Sequence, residues 1–145
     1  MSAPPSLAGV TLCLNPTTSV FVSGVPGSTP STLADRLYSE LKSFLHSQGV
    51  RFVEAPGCSK SPAALTLFLN VTPVRGSSAV ETLVSGRVSN EVQATGVWFS
   101  NSPLRWSGVK YGQVSPGETA IRLRLLEDAR FMFAQFVEDW QAANP

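Results

Sequence analysis

The chain has 145 residues, a formal net charge of +1 and 14% charged residues, against about 25% in ordinary soluble domains. That length suits one domain with a sizeable core, and a charge so near zero supplies no field to gather phosphate, which argues against strong nucleic-acid binding. Polarity comes instead from 29 Ser and Thr residues, a composition more common in secreted, envelope and virion proteins than in cytosolic enzymes.

Residues 1–8 are rich in Pro, Ser and Ala and read as a flexible N-terminal arm ahead of a single α/β domain over 9–145. No basic stretch followed by an apolar core opens the chain, so no signal peptide is expected there. No run reaches the 18 or so apolar residues of a transmembrane helix. Val10, Leu12 and Leu14 alternate with Thr11 and Cys13, as in a half-buried strand. Residues 15–18 turn the chain, and residues 20–22 begin the next strand. After a loop over 24–30, Thr29 suits a helix N-cap and Pro30 the first helical position, where its missing N–H is no loss. Leu33, Leu37, Leu41, Phe44 and Leu45 then recur at helical spacing, and Gly49 closes the helix.

A short strand over 50–54 and a loop over 55–62 follow, the loop holding Cys58. Residues 64–74 read as a long strand with Leu65, Leu67, Leu69 and Val71 on one face, and residues 75–78 as a hairpin loop. Residues 80–92 alternate again, with Val80, Thr82, Val84, Gly86, Val88 and Val92 on a common face. Further strands are predicted over 94–99 and 106–111, with a turn at 101–103, giving an antiparallel meander of three or four strands. Ser115, Pro116 and Glu118 have the spacing of a capping box. Behind them Ile121, Leu125, Ala129, Met132, Phe133, Phe136 and Trp140 form the apolar stripe of a helix of about 25 residues, roughly 37 Å long. The expected fold is α+β, an α/β sandwich: a mixed, largely antiparallel sheet of four to six strands with two helices packed on one face.

Reactive constellations are scarce. His46 is the only histidine and sits in the last turn of the first helix, where an imidazolium complements the helix dipole. With no second histidine and no carboxylate placed beside it by sequence, a Ser-His-Asp or Cys-His arrangement is not supported. Cys13 and Cys58 with one distant histidine do not make a metal site. They read either as two unpaired thiols or, in an oxidising compartment and with Cα atoms within about 7 Å, as a disulfide. Glu127-Asp128 and Glu138-Asp139 stand eleven residues apart on one helix, about 16 Å along its axis, which fits a solvated face rather than a catalytic pair. The loop over 24–30 joins a strand to a helix N-terminus, yet it lacks the GK[ST] ending of a phosphate cradle and has Pro26 and Pro30 where N–H donors are needed. Asn70-Val71-Thr72 is a glycosylation sequon placed inside a strand. Arg105, Arg122, Arg124 and Arg130 lie among Glu118, Glu127 and Asp128, so their stems read as cover for a core helix. No catalytic, cofactor-binding or metal-binding residue is expected. The candidate partner-binding residues are Trp98, Trp106, Tyr111 and Arg105, because indoles flanking the polar turn at 100–103 suit an interaction hot spot if at least one is exposed. The alternative is that both indoles cap the core beneath the long helix.

The run Val20-Phe21-Val22, then Leu33 to Leu45 ending in Gly49-Val50-Arg51-Phe52-Val53, then Ala64 to Val71, resembles the N-terminal domain of TolB. It is also similar to small bacterial envelope lipoproteins of the LptE type. The resemblance implies a strand, a helix ending in Gly-Val, a short strand and a strand leading into a meander with a closing helix. It brings no catalytic residues, and its expected setting is the cell envelope or periplasm. The function expected is a non-catalytic adaptor or assembly protein that binds another macromolecule or its own copies, without cofactor. A virion or other ring-forming structural subunit is the alternative, and an enzyme using the 24–30 loop on a phosphorylated substrate is a third.

Overall fold

The structure is a computed structural model that describes residues 7–17, 19–25, 29–56, 64–73, 76, 78–89 and 105–145. In chain order its elements are β1 (Leu12–Leu14), β2 (Val20–Ser23), α1 (Thr29–Ser47), β3 (Phe52–Glu54), β4 (Ala64–Pro73), β5 (Val80–Ser89), β6 (Trp106–Val114) and α2 (Glu118–Ala143). The fold is α+β, with a mixed six-stranded sheet in the order β3-β1-β4-β5-β6 and β2 also paired to β4.

Strand β4 organises the sheet. β1 pairs with it in parallel at Ala64, and β2 pairs with it in parallel from Leu67 to Asn70, so two short segments lie along the same side of one long strand. The chain between them is turned by Asn15, whose carboxamide oxygen accepts from the Thr17 N–H at 3.0 Å while the Ser19 hydroxyl accepts from the Asn15 N–H at 2.9 Å. Such local side-chain bonds give the backbone partners that the sheet ladder does not supply there. On its other side β4 begins the antiparallel meander with β5 and β6. The strand read over 80–92 is described to Ser89, and that read over 106–111 runs on to Val114. The strand read over 94–99 lies outside the described residues.

Helix α1 buries Leu33, Leu37, Leu41 and Leu45, as the spacing predicts. Gly49 takes φ +73°, and the Val50 N–H reaches back to the Leu45 carbonyl at 3.0 Å, closing the helix through a left-handed cap. The capping box read for α2 is not formed. Gly117 is the N-cap with no side-chain bond, and Ser115 and Pro116 precede the helix. The cause is that β6 stays paired as far as Val114, opposite Val80, so the chain must leave the sheet before it can coil.

Both helices cover one face of the sheet. Trp106 meets Phe136 of α2 edge to face at 5.1 Å, and Arg130 of α2 forms a forked pair with Glu40 of α1 at 2.8 and 3.2 Å. Leu37, Leu41, Leu67, Leu69, Phe133 and Phe136 are all buried. Glycine makes the fit at Gly86, where an added Cβ would stand 2.9 Å from the Trp106 ring. Of the arm read over 1–8, Leu7 is buried, and its carbonyl accepts from the Asn144 carboxamide at 2.9 Å. The Trp140 indole N–H donates to the Val10 carbonyl at 3.1 Å, so the end of α2 holds the chain just before β1.

Candidate functional site

Side chains alternate across a strand, so the same strands that bury one face present a second face away from the helices. Two rows cross that open face in register. Phe21, Phe68, Ser85 and Val109 make one, and Ser23, Asn70, Leu83 and Tyr111 make the next. Phe68 and Leu83 are half-buried, whereas Phe21 and Val109 are exposed and Tyr111 is 63% exposed. The Ser23 hydroxyl donates to the Asn70 carboxamide oxygen at 2.8 Å, which ties the sequon residue into the sheet. Toward the β1 end, Cys13 and Ala64 form a small buried cluster with Ala55 against it. Cys13 is disulfide-bonded, which decides between the two readings of that residue. The chain's other cysteine, Cys58, lies outside the described residues.

The apolar surface continues round the outer edge of β6, where no strand pairs among the described residues. Leu123 and Phe131 of α2 are 57% and 48% exposed beside that edge, and the Lys110 ammonium stands 4.0 Å from the Phe131 ring centroid. Sequence reasoning passed over Val109, Leu123 and Phe131. The available signal was that Leu123 and Phe131 are large apolar residues off the core stripe of their own helix.

The four sequence candidates fare differently. Tyr111 is at the surface. Arg105 is half-buried, and its Nε is buried without a hydrogen-bond partner among the described residues. Trp106 is part of the core, its indole N–H donating to the Asp139 carboxylate at 2.8 Å. Trp98 lies outside the described residues. The acidic face read on α2 requires correction. Glu127 and Glu138 are solvated, but Asp128 is 1% exposed and bridges Arg124 at 3.1 Å, and Asp139 is held by Trp106. The reason is register: each Asp follows its Glu by one position, and 100° of helix turns it toward the sheet. Arg124 lies against Gly112, where an added Cβ would meet Arg124 Nε at 2.7 Å and Thr82 Oγ1 at 2.8 Å.

On the outer side of the helices a cleft of about 690 Å³ runs between α1 and α2, with Phe44, Phe133 and Ala134 against Ser39, Ser43 and Ser47. The Glu40–Arg130 pair closes one side, and its hydrogen bond holds the Glu40 carboxyl below the usual carboxylate range. Where α1 faces β3, the Tyr38 hydroxyl donates to Glu54 at 2.7 Å and Lys42 bridges the same carboxylate at 2.9 Å. Burial, then the Glu54 carboxylate, push the Tyr38 phenol up, while the Tyr38 and Lys42 bonds lower Glu54. His46 is exposed. No trio of His, Cys, Asp or Glu among the described residues is placed to hold a metal ion. No helix among them is long and apolar enough to cross a membrane. In the loop considered for phosphate, Gly24 has φ +81° and an added Cβ there would run into the Val71 carbonyl oxygen. Close passage over β4 therefore accounts for that glycine, and residues 26–28 lie outside the described residues.

No protein-family model and no curated protein matches the sequence. Solved structures share the fold. PelC from Paraburkholderia phytofirmans, solved as a dodecamer, aligns with TM-score 0.52 at 16% identity, covering 97% of this chain and 94% of that one. A Helicobacter pylori protein described as a neuraminyllactose-binding hemagglutinin homolog aligns with TM-score 0.51 at 11% identity, covering 95% of this chain and 89% of its own. At these identities the likeness is one of fold.

Proposed function

We propose that the protein is a non-catalytic assembly subunit that binds protein, its own copies first among them, in an oxidising compartment such as the bacterial envelope. The observation that carries the reading is the apolar surface a single chain leaves uncovered. Phe21, Val109, Tyr111, Leu123 and Phe131 are all exposed, and most of them border a sheet edge that no strand among the described residues pairs. Exposed aromatic residues grouped in this way mark interaction sites more often than scattered single ones do. The full-length match to the fold of a protein solved as a dodecamer supports self-association. The disulfide at Cys13 supports an oxidising compartment, in keeping with the resemblance to TolB and LptE-type proteins. Polar groups that an enzyme would direct at a substrate are engaged within the fold: Asp128 with Arg124, Asp139 with Trp106, and Glu54 with Tyr38.

Sedimentation velocity and native mass spectrometry test the reading. A defined oligomer above the 15.5 kDa of one chain is the expected result. A strict monomer across the accessible concentration range would sink it.

A further inference from the structure

The two edges of the sheet differ in length and in what flanks them. Among the described residues β6 offers nine residues of unpaired edge, whereas the opposite side ends in β3, with three residues, and β2, with four. On the open face β6 carries Val109 and Tyr111, and on the helix side Leu123 and Phe131 stand beside it, so the edge is apolar in both layers. The opposite edge has Phe21 and Val53 on the open face. On the helix side, however, every fully exposed described residue of α1 is polar, as at Asp35, Arg36, Ser39 and Ser43. A head-to-tail contact would therefore set Leu123 and Phe131 against polar side chains. A contact of β6 with itself sets them against each other.

We infer that β6 pairs antiparallel with β6 of a second copy about a two-fold axis at Lys110, joining two sheets into one and packing α2 against α2 across the axis. The inference rests on the self-association reading and names its surface. Centring the pair on Lys110 overlaps the whole of Trp106–Val114 and places Val109 opposite Tyr111 of the other copy twice, a favourable cross-strand pairing of a β-branched with an aromatic side chain. The outward backbone groups of β6 gain the partners that an edge otherwise lacks. The obstacle is charge, because two lysines meet at the axis. Each ammonium is already drawn back over its own Phe131. Gly108 lies under Met132 and Gly112 under Arg124, so the helix level above Lys110 falls between them, next to Glu127. Glu127 shares a helix stripe with Leu123 and Phe131 and is exposed, so each copy brings an anion to the other's Lys110. A nine-residue strand is about 30 Å long, and sheet plus helix give an edge roughly 20 Å deep. About 600 Å² per copy is then buried, near the lower limit for a specific dimer.

Cross-linking and mass together test this. Lys110→Cys places two thiols opposite each other at a Cα separation of about 4.5–5.5 Å, which a disulfide spans. Asp35→Cys, exposed on α1 and away from the Cys13 disulfide, is the control. The expected result is an even-numbered oligomer for the unaltered chain and a covalent dimer for Lys110→Cys, formed several-fold faster than for Asp35→Cys. In addition, Tyr111→Lys should lower the mass while leaving circular dichroism and melting unchanged. If the unaltered chain is oligomeric but Lys110→Cys links no faster than the control and Tyr111→Lys keeps its mass, the interface is wrong and self-association stands. A monomer in every sample, with no cross-link, overturns both.

Discussion

The two faces of the sheet come from alternate positions of the same strands, yet only one of them is closed. Beneath the helices, Leu67, Leu69, Val84, Val88 and Trp106 are buried, and space is so short that glycine is required at Gly86. On the other side, Phe21, Phe68, Leu83, Val109 and Tyr111 are nearly as apolar in type but stay half-buried or exposed. Hydrophobic character alone therefore does not separate core from surface here; what separates them is whether a second layer arrives to cover it. The covered face carries stability, and the open face is left uncovered by the helices among the described residues.

The largest effect that would break this contrast belongs to the covered face. Leu69→Ala should cost about 2–5 kcal/mol in denaturant unfolding, because a fully buried side chain leaves a cavity that two packed layers cannot close. A loss comparable to that of a surface substitution would mean that the helices do not pack there. Gly86→Ala should cost about 1–3 kcal/mol by overpacking, since the new methyl would press on the Trp106 ring. A change in near-ultraviolet circular dichroism from the displaced indole is the accompanying sign.

The clasp between the helices is weaker. Hydrogen bonding from Arg130 lowers the Glu40 carboxyl, so the pair stabilises the folded state above about pH 4.5 and the contribution is lost as the pH falls through the folded value. Glu40→Gln should cost about 0.2–1 kcal/mol at neutral pH, as for a largely solvated pair, and its stability should converge with that of the unaltered chain in acid. A constant gap at every pH would assign the effect to packing instead. The smallest expected effect on stability is on the open face. Tyr111→Ser should alter unfolding by less than about 0.5 kcal/mol while weakening self-association measured by sedimentation. If it destabilises the monomer as much as Leu69→Ala, the open face belongs to the core and the contrast fails.

How much was legible in the sequence depended on whether a feature is local. Helical spacing and Gly49 set the extent of α1, and alternation set the register faces of β4 and β5, because each depends on side chains a few residues apart. The start of α2 was misread since the Ser115–Pro116–Glu118 pattern competes with strand pairing at Val114, a contact 34 positions away. Asp128 was placed in solvent on its charge alone, although it lies between Leu125 and Met132 on the core stripe; the Arg124 partner that allows it to be buried is visible only in the structure. Trp106 was read as a candidate for docking, and the partner that holds it, Asp139, is 33 positions distant.

By itself, then, the sequence determined the fold class and the described elements apart from the start of α2, both of which follow from short-range periodicity and composition. Tertiary structure alone decided the order of the strands, the parallel pairing of β1 and β2 along β4, and the bonded state of Cys13. It also decided which apolar residues remain uncovered. Helical spacing already sets Leu123 and Phe131 off the core stripe, but only the position of the sheet places them beside β6. Exposure is a property of what lies across from a side chain, and a linear pattern does not encode that distance.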